Sequence, residues 1–302
     1  QLLFDRGSAQ MSSVQTKRTQ SQAQLAQGKQ IINASDSPNQ AATIQRLKSI
    51  LSRQESYQSS LNTVKARLQG EDSTLQSVSE LLIRAKEVAV QGANDTLNMG
   101  DRKALANEMQ SLRDQMLSLA NTKDSNGNYL FAGSRVKQPA FAETANGSPI
   151  YMGDQTRMNV RVSEQQSIPV NRTGTDAFVP VSRLDKNGVT IGVGFFEVMD
   201  NLIAGLNTAN GNDIRRGIGE LDTLQNGLSL AHAQVGTNLN MVDQQTMILE
   251  DTALNLKSTL SSIEDLDYAS AITKMNQQMM SLEAAQASFA KVSQLNLFNY
   301  IK

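Results

Sequence analysis

Two long, unbroken runs in which apolar residues return at alternating steps of three and four constrain this chain more than anything else in it. One passes through Leu47, Ile50, Gln54, Tyr57, Leu61, Val64, Leu68, Glu71, Leu75, Val78, Leu82, Ala85 and Ala89. The other passes through Ile214, Ile218, Leu221, Gln225, Leu228, His232, Val235, Leu239, Val242, Thr246, Leu249, Ala253, Leu256, Leu260 and Ile263. This alternation marks a helix that offers one narrow apolar seam to a partner helix. At about 1.5 Å per residue the two runs span roughly 63 Å and roughly 74 Å. They are close enough in length to lie along one another. The expected fold is mainly α: a long antiparallel coiled-coil rod built from N- and C-terminal arms, with a small inserted β domain.

Composition fits long thin helices. Only 4% of the 302 residues are aromatic and none is Trp, and a helix that buries one stripe of Leu, Ile, Val and Ala needs few large rings. A formal net charge of -1 gives neither nucleic acid nor an anionic membrane surface a basic stripe to bind, so neither is an expected partner. Zero Cys removes disulfides, thiol nucleophiles and thiolate metal sites. No apolar run reaches the roughly 20 residues of a membrane span, and the start lacks the blocks of a cleaved signal peptide. Gln1 in place of Met points to a short missing N-terminal piece.

The ends are built differently from the middle. From Met11 to Gln30 the apolar positions are sparse, Met11, Val14 and Leu25, and a helix this polar needs a partner to persist in water. The C-terminal stretch supplies one. Ile272, Met275, Met279 and Leu282 form a stripe that slips at Ala285 and resumes through Phe289, Val292 and Leu295, before Leu297, Phe298, Tyr300 and Ile301 crowd the chain end. All these side chains are candidate assembly contacts. Ser37-Pro38-Asn39-Gln40 reads as a helix start, with a Ser cap and Pro at the first helical position. Asn94 to Gly100 break the long helix, and a second, antiparallel one follows through Leu105, Met109, Leu112, Met116 and Leu119.

Between Val136 and about Gly194 the period falls to two. Met158, Val160 and Val162 alternate with Arg157, Asn159 and Arg161, with turns at Asn146-Gly147, Gly153-Asp154 and Asn187-Gly188. The expected division is residues 1–36 plus 265–302 as a terminal helical domain, 37–135 plus 195–264 as the coiled-coil domain, and 136–194 as the β domain. Because the seams resume on both sides, the insertion is expected to be dispensable.

Candidate chemistry is thin. His232 is the only histidine; at a seam position it reads, with Gln225 and Thr246, as a polar group that fixes register. Gly192-Val193-Gly194 lacks the third glycine of a nucleotide loop. Glu264, Asp265 and Asp267 read as a solvated helix break. No acid, base and nucleophile converge, so no enzyme, cofactor or metal is expected.

Both ends resemble the flagellin superfamily of bacterial axial proteins. LAQGKQIINASDSPNQAATIQRL, Leu25 to Leu47, is similar to its SxGKRINxxxDDP(A) signature, keeping Gly28-Lys29, with Gln30 where Arg is usual and Ser37 in place of the second Asp. Asp267-Tyr268-Ala269 and the Gln-rich helix after it resemble the C-terminal signature. Ala120 to Ser134 (ANTKDSNGNYLFAGS) and the ending LNLFNYI resemble the family's hook–filament junction members, and Tyr151 to Asp154 and Val170 to Gly174 resemble the inserted β domain of this family. The resemblance implies a homo-oligomer in a helical or ring-like layer, placed between a hook-capping junction protein of the FlgK type and the first flagellin. It also implies export through the flagellar channel without a cleaved signal peptide, an FlgN-type chaperone on the C-terminal region, and an extracellular location. A filament flagellin and an exported coiled-coil effector are the alternatives.

Overall fold

The structure is a computed structural model. It describes the backbone of residues 2–300 except 145, 146 and 186, and, within residues 6–291, the side chains of all but those three. Helices α1 (Leu2–Gln27), α2 (Pro38–Gly92) and α3 (Met99–Ala120) precede strands β1 (Phe141–Glu143), β2 (Pro149–Tyr151), β3 (Asn159–Arg161) and β4 (Ser167–Pro169). The short helix α4 (Gly174–Ala177), strands β5 (Val181–Leu184) and β6 (Thr190–Val193), and helices α5 (Phe195–Asn207), α6 (Gly211–Glu264) and α7 (Tyr268–Tyr300) complete the chain. The fold is mainly α with a small β insertion. Two compact units divide it: Gln1–Glu55 with Glu250–Lys302, and Ser56–Leu249.

In the second unit the seam of α2 is buried where the spacing places it, through Leu61, Val64, Leu68, Leu75, Val78, Leu82, Ala85 and Ala89. On α6 the buried stripe is Leu221, Leu224, Leu228, Ala231, Val235 and Val242, with Gln245 and Leu249 continuing it. Gln225, His232 and Thr246, read as seam positions, lie one residue off this stripe. Two phases of the three-four alternation share Leu221, Leu228 and Val235, and the buried one puts Leu224 and Ala231 inside. His232 is exposed.

The flanking groups bind across the seam. His232 Nε2 stands 2.8 Å from Asp72 Oδ1, an acidic partner the sequence reading did not see. Gln225 donates to Ser79 Oγ, Lys65 Nζ lies 2.7 Å from Asp243 Oδ1, and Lys86 pairs with Asp222. On α2 these positions ascend 65, 72, 79, 86, while their partners on α6 descend 243, 232, 225, 222. The helices are therefore antiparallel. Helix α3 folds back on α2 in the same sense, with Arg84 pairing with Glu108 on α3 at 2.6 Å and Arg67 with Asp124 in the loop after α3 at 3.0 Å. Asn98 Oδ1 caps α3 by accepting from the Asp101 amide.

The insertion forms three antiparallel hairpins, β1–β2, β3–β4 and β5–β6. As the alternation requires, Val162 is buried and Val160 half-buried, while Asn159 and Arg161 face water. The Asn126-Gly127 turn brings Lys123 and Tyr129 together in a single antiparallel bridge. The insertion has no core of its own. Phe141, Val162, Ile168 and Phe178 pack in one continuous core with Met116, Leu130, Phe196 and Leu202. Phe131, Phe141, Phe178, Phe195 and Phe196 stack mostly edge to face, with ring centroids 5.1 to 6.1 Å apart; such pairs add about 0.5–1.5 kcal/mol each beyond area burial. Arg113, buried on α3, bonds Asp200 on α5, Glu143 on β1 and the Gly147 carbonyl. Packing of this kind argues against a dispensable insertion.

Candidate assembly interface

In the first unit α1 lies against α7. The less exposed positions of α1 include Gly7, Met11, Val14, Arg18, Ser21 and Leu25 in four-three alternation, with Ala23 and Gln24 beside the last, and those of α7 are Ala271, Met275, Gln278, Leu282, Ala285 and Phe289 in the same alternation. A Cβ on Gly7 would meet the Phe289 ring at 3.4 Å. Ala285 is therefore no slip but a regular member of the stripe. Small and polar residues hold half the contact positions, so a stripe drawn through large apolar residues alone misplaces it.

Met11, Val14, Leu25, Met275, Leu282 and Phe289 thus meet within the chain. Ile272 and Met279 stand outside the stripe, 46% and 40% exposed, with Tyr268 and Met280 also facing solvent. Val292, Leu295, Leu297, Phe298, Tyr300 and Ile301 lie outside the residues whose side chains are described.

A clasp joins the α1–α2 loop to the α6–α7 turn. Helix α1 ends at Gly28, whose φ of +65° suits glycine, and a Cβ there would fall 2.7 Å from the Tyr268 hydroxyl oxygen. The Gly28 carbonyl accepts from the Leu266 amide at 3.0 Å, and the Gln30 amide donates to the Glu264 carbonyl at 2.8 Å. Lys29 Nζ and Lys48 Nζ both reach Glu264 Oε1, at 2.6 and 2.9 Å. Hydrogen bonds from these ammonium groups, Lys29 foremost, hold the nearly buried carboxyl below its ordinary pKa against the opposing cost of desolvation.

Two aspartates fix the backbone on either side. Asp36 Oδ2 accepts from the amides of Ile32 and Asn33, and its Oδ1 accepts from Gln20 on α1. Asp267 caps α7, accepting from the Ser270 hydroxyl and the amides of Ala269 and Ser270, and these bonds lower its pKa. The solvated-break reading holds for Asp265 and Asp267, both exposed between α6 and α7, where Asp265 bonds Ser261 and Asp267 caps α7; it fails for Glu264, which is a buried ion-pair centre.

A second group of bonds ties the insertion to the coiled coil. Asn121 bonds both the amide and the carbonyl of Phe141, and Tyr151 Oη donates toward the Phe131 and Asp154 carbonyls. Gly133, with φ +67°, leaves room for Asp154, whose backbone carbonyl would lie 2.3 Å from any Cβ there. Arg172 Nη1 donates to Gln234 on α6 at 2.7 Å. Glu71, 1% exposed on the α2 seam, sits near Arg67 and Arg172. Desolvation pushes its pKa up to about 7 against the pull of both guanidinium groups. Among the described residues no group of three or more His, Cys, Asp or Glu is placed to hold a metal ion, and no helix is long and apolar enough to cross a membrane.

The family model of the bacterial flagellin N-terminal helical region matches residues 7–136, and that of the C-terminal helical region matches residues 218–301. Flagellar hook-associated protein 3 of Escherichia coli K12 is 27% identical over 100% of this chain and 98% of its own length. A flagellin of Listeria monocytogenes is 26% identical over 92% of this chain and 88% of its own. A hook-associated protein structure from Vibrio parahaemolyticus superposes with a TM-score of 0.67 at 23% identity, covering 76% of this chain and all of that one. The Xanthomonas campestris FlgL structure gives 0.64 at 22%, covering 72% and 99%. These two structures share the fold.

Proposed function

Because this chain belongs to the bacterial flagellin family, with both of that family's helical regions in place, we propose that it is a structural subunit of the flagellum at the junction between hook and filament. The observation that carries the reading is the pairing of α1 with α7 through a clasp made of the two signature segments. A protein whose two ends form one helical pair, with Ile272, Met279 and Met280 exposed along it, has what end-directed polymerisation uses. Full-length similarity to hook-associated protein 3 supports the junction over the filament itself. The Listeria relative keeps a filament flagellin as the second reading.

On this reading the subunit forms a homo-oligomeric layer between an FlgK-type junction protein and the first flagellin, leaves the cell through the flagellar channel, and is held beforehand by an FlgN-type chaperone. The candidate contacts are Ile272, Met279 and the tail residues Val292, Leu295, Leu297, Phe298, Tyr300 and Ile301. No catalytic role is assigned. Antibody labelling in electron microscopy tests the assignment: a band at the hook end supports it, while staining along the filament supports the flagellin reading. A deletion strain should carry hooks without filaments and shed flagellin into the medium. Normal filaments in that strain would overturn the assignment.

A further inference from the structure

Arg172 is a buried cation that lacks an ion pair. It lies just past β4, 9% exposed, and among the described residues no carboxylate comes within 4.0 Å of its guanidinium. Nη1 donates to Gln234 Oε1 on α6 at 2.7 Å, but Nε is sealed from solvent and has no hydrogen-bond partner. Burial holds the group below its ordinary pKa, Glu71 and Asp176 pull against this from a distance, and Arg157 adds repulsion. Arg113 is the contrast within the same chain: it is also buried, and it pairs with Asp114, Glu143 and Asp200. A guanidinium removed from water without a counter-ion is strongly destabilising, so an orphaned one beside a cavity marks a place for a counter-ion.

Arg172 lines a pocket of about 280 Å³ together with Arg157, Asn171, Asp176, Gln234 and Asn238. Two guanidinium groups share that lining with one carboxylate, which leaves positive charge in excess and suits an anion. Asp176 is already committed: its Oδ2 accepts from Arg157 Nη2 at 3.0 Å, on one edge of a side chain that is 66% exposed. The walls are fixed before any ligand arrives. Asn171 Oδ1 accepts from the Met158 amide at 2.6 Å, and its Nδ2 donates to the Thr156 carbonyl at 2.9 Å, which ties the segment carrying Arg157 to the one carrying Arg172. Asn238 and the Gln234 amide group offer further donors.

We propose that this pocket is an oxyanion site, where a carboxylate, sulfate or phosphate group bridges Arg172 and Arg157. The planar fork of a guanidinium matches two oxygens of such a group. The anion comes either from the medium or from an acidic side chain of a neighbouring subunit, and the chemistry at the two guanidinium groups is the same.

Sulfate is the probe, since it does not titrate near neutral pH. The full-length monomer is melted in sodium sulfate against sodium chloride of equal ionic strength. Wild type should gain about 3–6 °C at ten times the dissociation constant. Arg157→Gln, at an exposed position, and Arg172→Lys, which keeps the charge and loses the fork, should each keep about a third of that gain or less. Equal gains in all three proteins report only the general exclusion of sulfate from protein surfaces and overturn the site; no gain in wild type overturns it too. Phenylglyoxal labelling of Arg157, read by mass spectrometry, then identifies the source. Labelling that sulfate blocks in the monomer, and that is already blocked in assembled flagella without sulfate, assigns the carboxylate of a neighbour; labelling in flagella that only sulfate blocks assigns a free anion. The pocket is complete within one chain, so loss of the hook-end label would overturn the functional reading and leave this site standing.

Discussion

Replacing Glu71 with Gln should stabilise the coiled coil, and by an amount that depends on pH. The carboxyl sits on the α2 seam between Leu68 and Leu75, and its pKa rises from an ordinary 4.5 to about 7 because burial opposes its charge. In the unfolded chain the proton leaves near 4.5; in the folded chain it is kept until about 7. Stability from this position is therefore fully present below pH 4.5 and is lost as pH rises through 7. At about 1.36 kcal/mol per pH unit the difference comes to roughly 3 kcal/mol as an upper value. Gln mimics the protonated form and does not titrate. Wild type and variant should melt together near pH 4.5 and diverge towards pH 8. There the variant gains up to about 6–12 °C, at roughly 2–4 °C per kcal/mol for a unit of this size. Paired melting scans from pH 4.5 to 8.5 cancel every other titrating group common to both proteins. An offset that stays constant across this range, or a variant less stable at pH 8, would refute the reasoning and show that Arg67 and Arg172 outweigh desolvation.

Glu264→Gln should loosen the terminal pair, costing about 1–3 kcal/mol for the lost ammonium bonds, read as faster amide exchange in α1 and α7. Since that carboxyl's pKa is lowered, its contribution is present above pH 4.5 and lost as pH falls through the folded value, the opposite sense to Glu71; exchange insensitive to the substitution at pH 7 would count against the clasp. Gly28→Ala, forced into positive φ and against Tyr268, should cost about 1–2 kcal/mol by the same readout, and unchanged exchange would contradict the close approach. Joining Ser134 to Gly194 through a Gly-Ser linker should lower the melting temperature by many degrees, because Phe131, Phe195 and Phe196 lose the rings of Phe141 and Phe178; a shortened protein that melts as wild type does would return the insertion to a dispensable role. Truncation after Asn296 should leave melting unchanged and release filaments, whereas normal swimming would remove the tail from the assembly contacts.

Legibility in the sequence followed side-chain size. The α2 seam could be read because Leu or Val fills most of its positions, and a large apolar residue on a helix has few places to go except inward. On α6 the same rule was ambiguous by one residue, since Leu221, Leu228 and Val235 serve two phases, and polar Gln225 and His232 were placed inside when they bridge across the flank. The α1–α7 stripe was the hardest to see because Gly7, Ser21, Ala271, Gln278 and Ala285 hold contact positions that no hydrophobicity count marks. The hairpins were signalled by Asn-Gly pairs, but nothing local says that their inner faces complete the core of α3 and α5. Phe131, Phe141, Phe178 and Phe195 come from four separate stretches, and a low aromatic content hid the fact that five of the eight Phe rings share one site.

The clasp was invisible for a different reason. Three acidic residues at a helix break look solvated from the sequence because the cations that pair with Glu264 lie far away, Lys48 being 216 positions earlier. What the sequence does carry is the backbone geometry that makes the pairing possible. Gly28 turns the chain through positive φ, so that Lys29 and Gln30 come to face the α6–α7 turn. Asp36 then gathers two amides of the loop and the Gln20 side chain, and Asp267 starts the returning helix. Each of these residues acts on the path of the chain, and the Glu264 ion pairs form only once both paths are set. Helices α1 and α7 are far apart in sequence and must find each other before any seam between them can form, and α1 alone is too polar to persist. A clasp at the base of the pair removes most of that search. It follows that substitutions at Gly28, Asp36 or Glu264 should resemble the loss of a terminal helix in assembly while leaving the Ser56–Leu249 unit folded. A variant of Glu264 that unfolded both units together would show instead that the clasp belongs to the core.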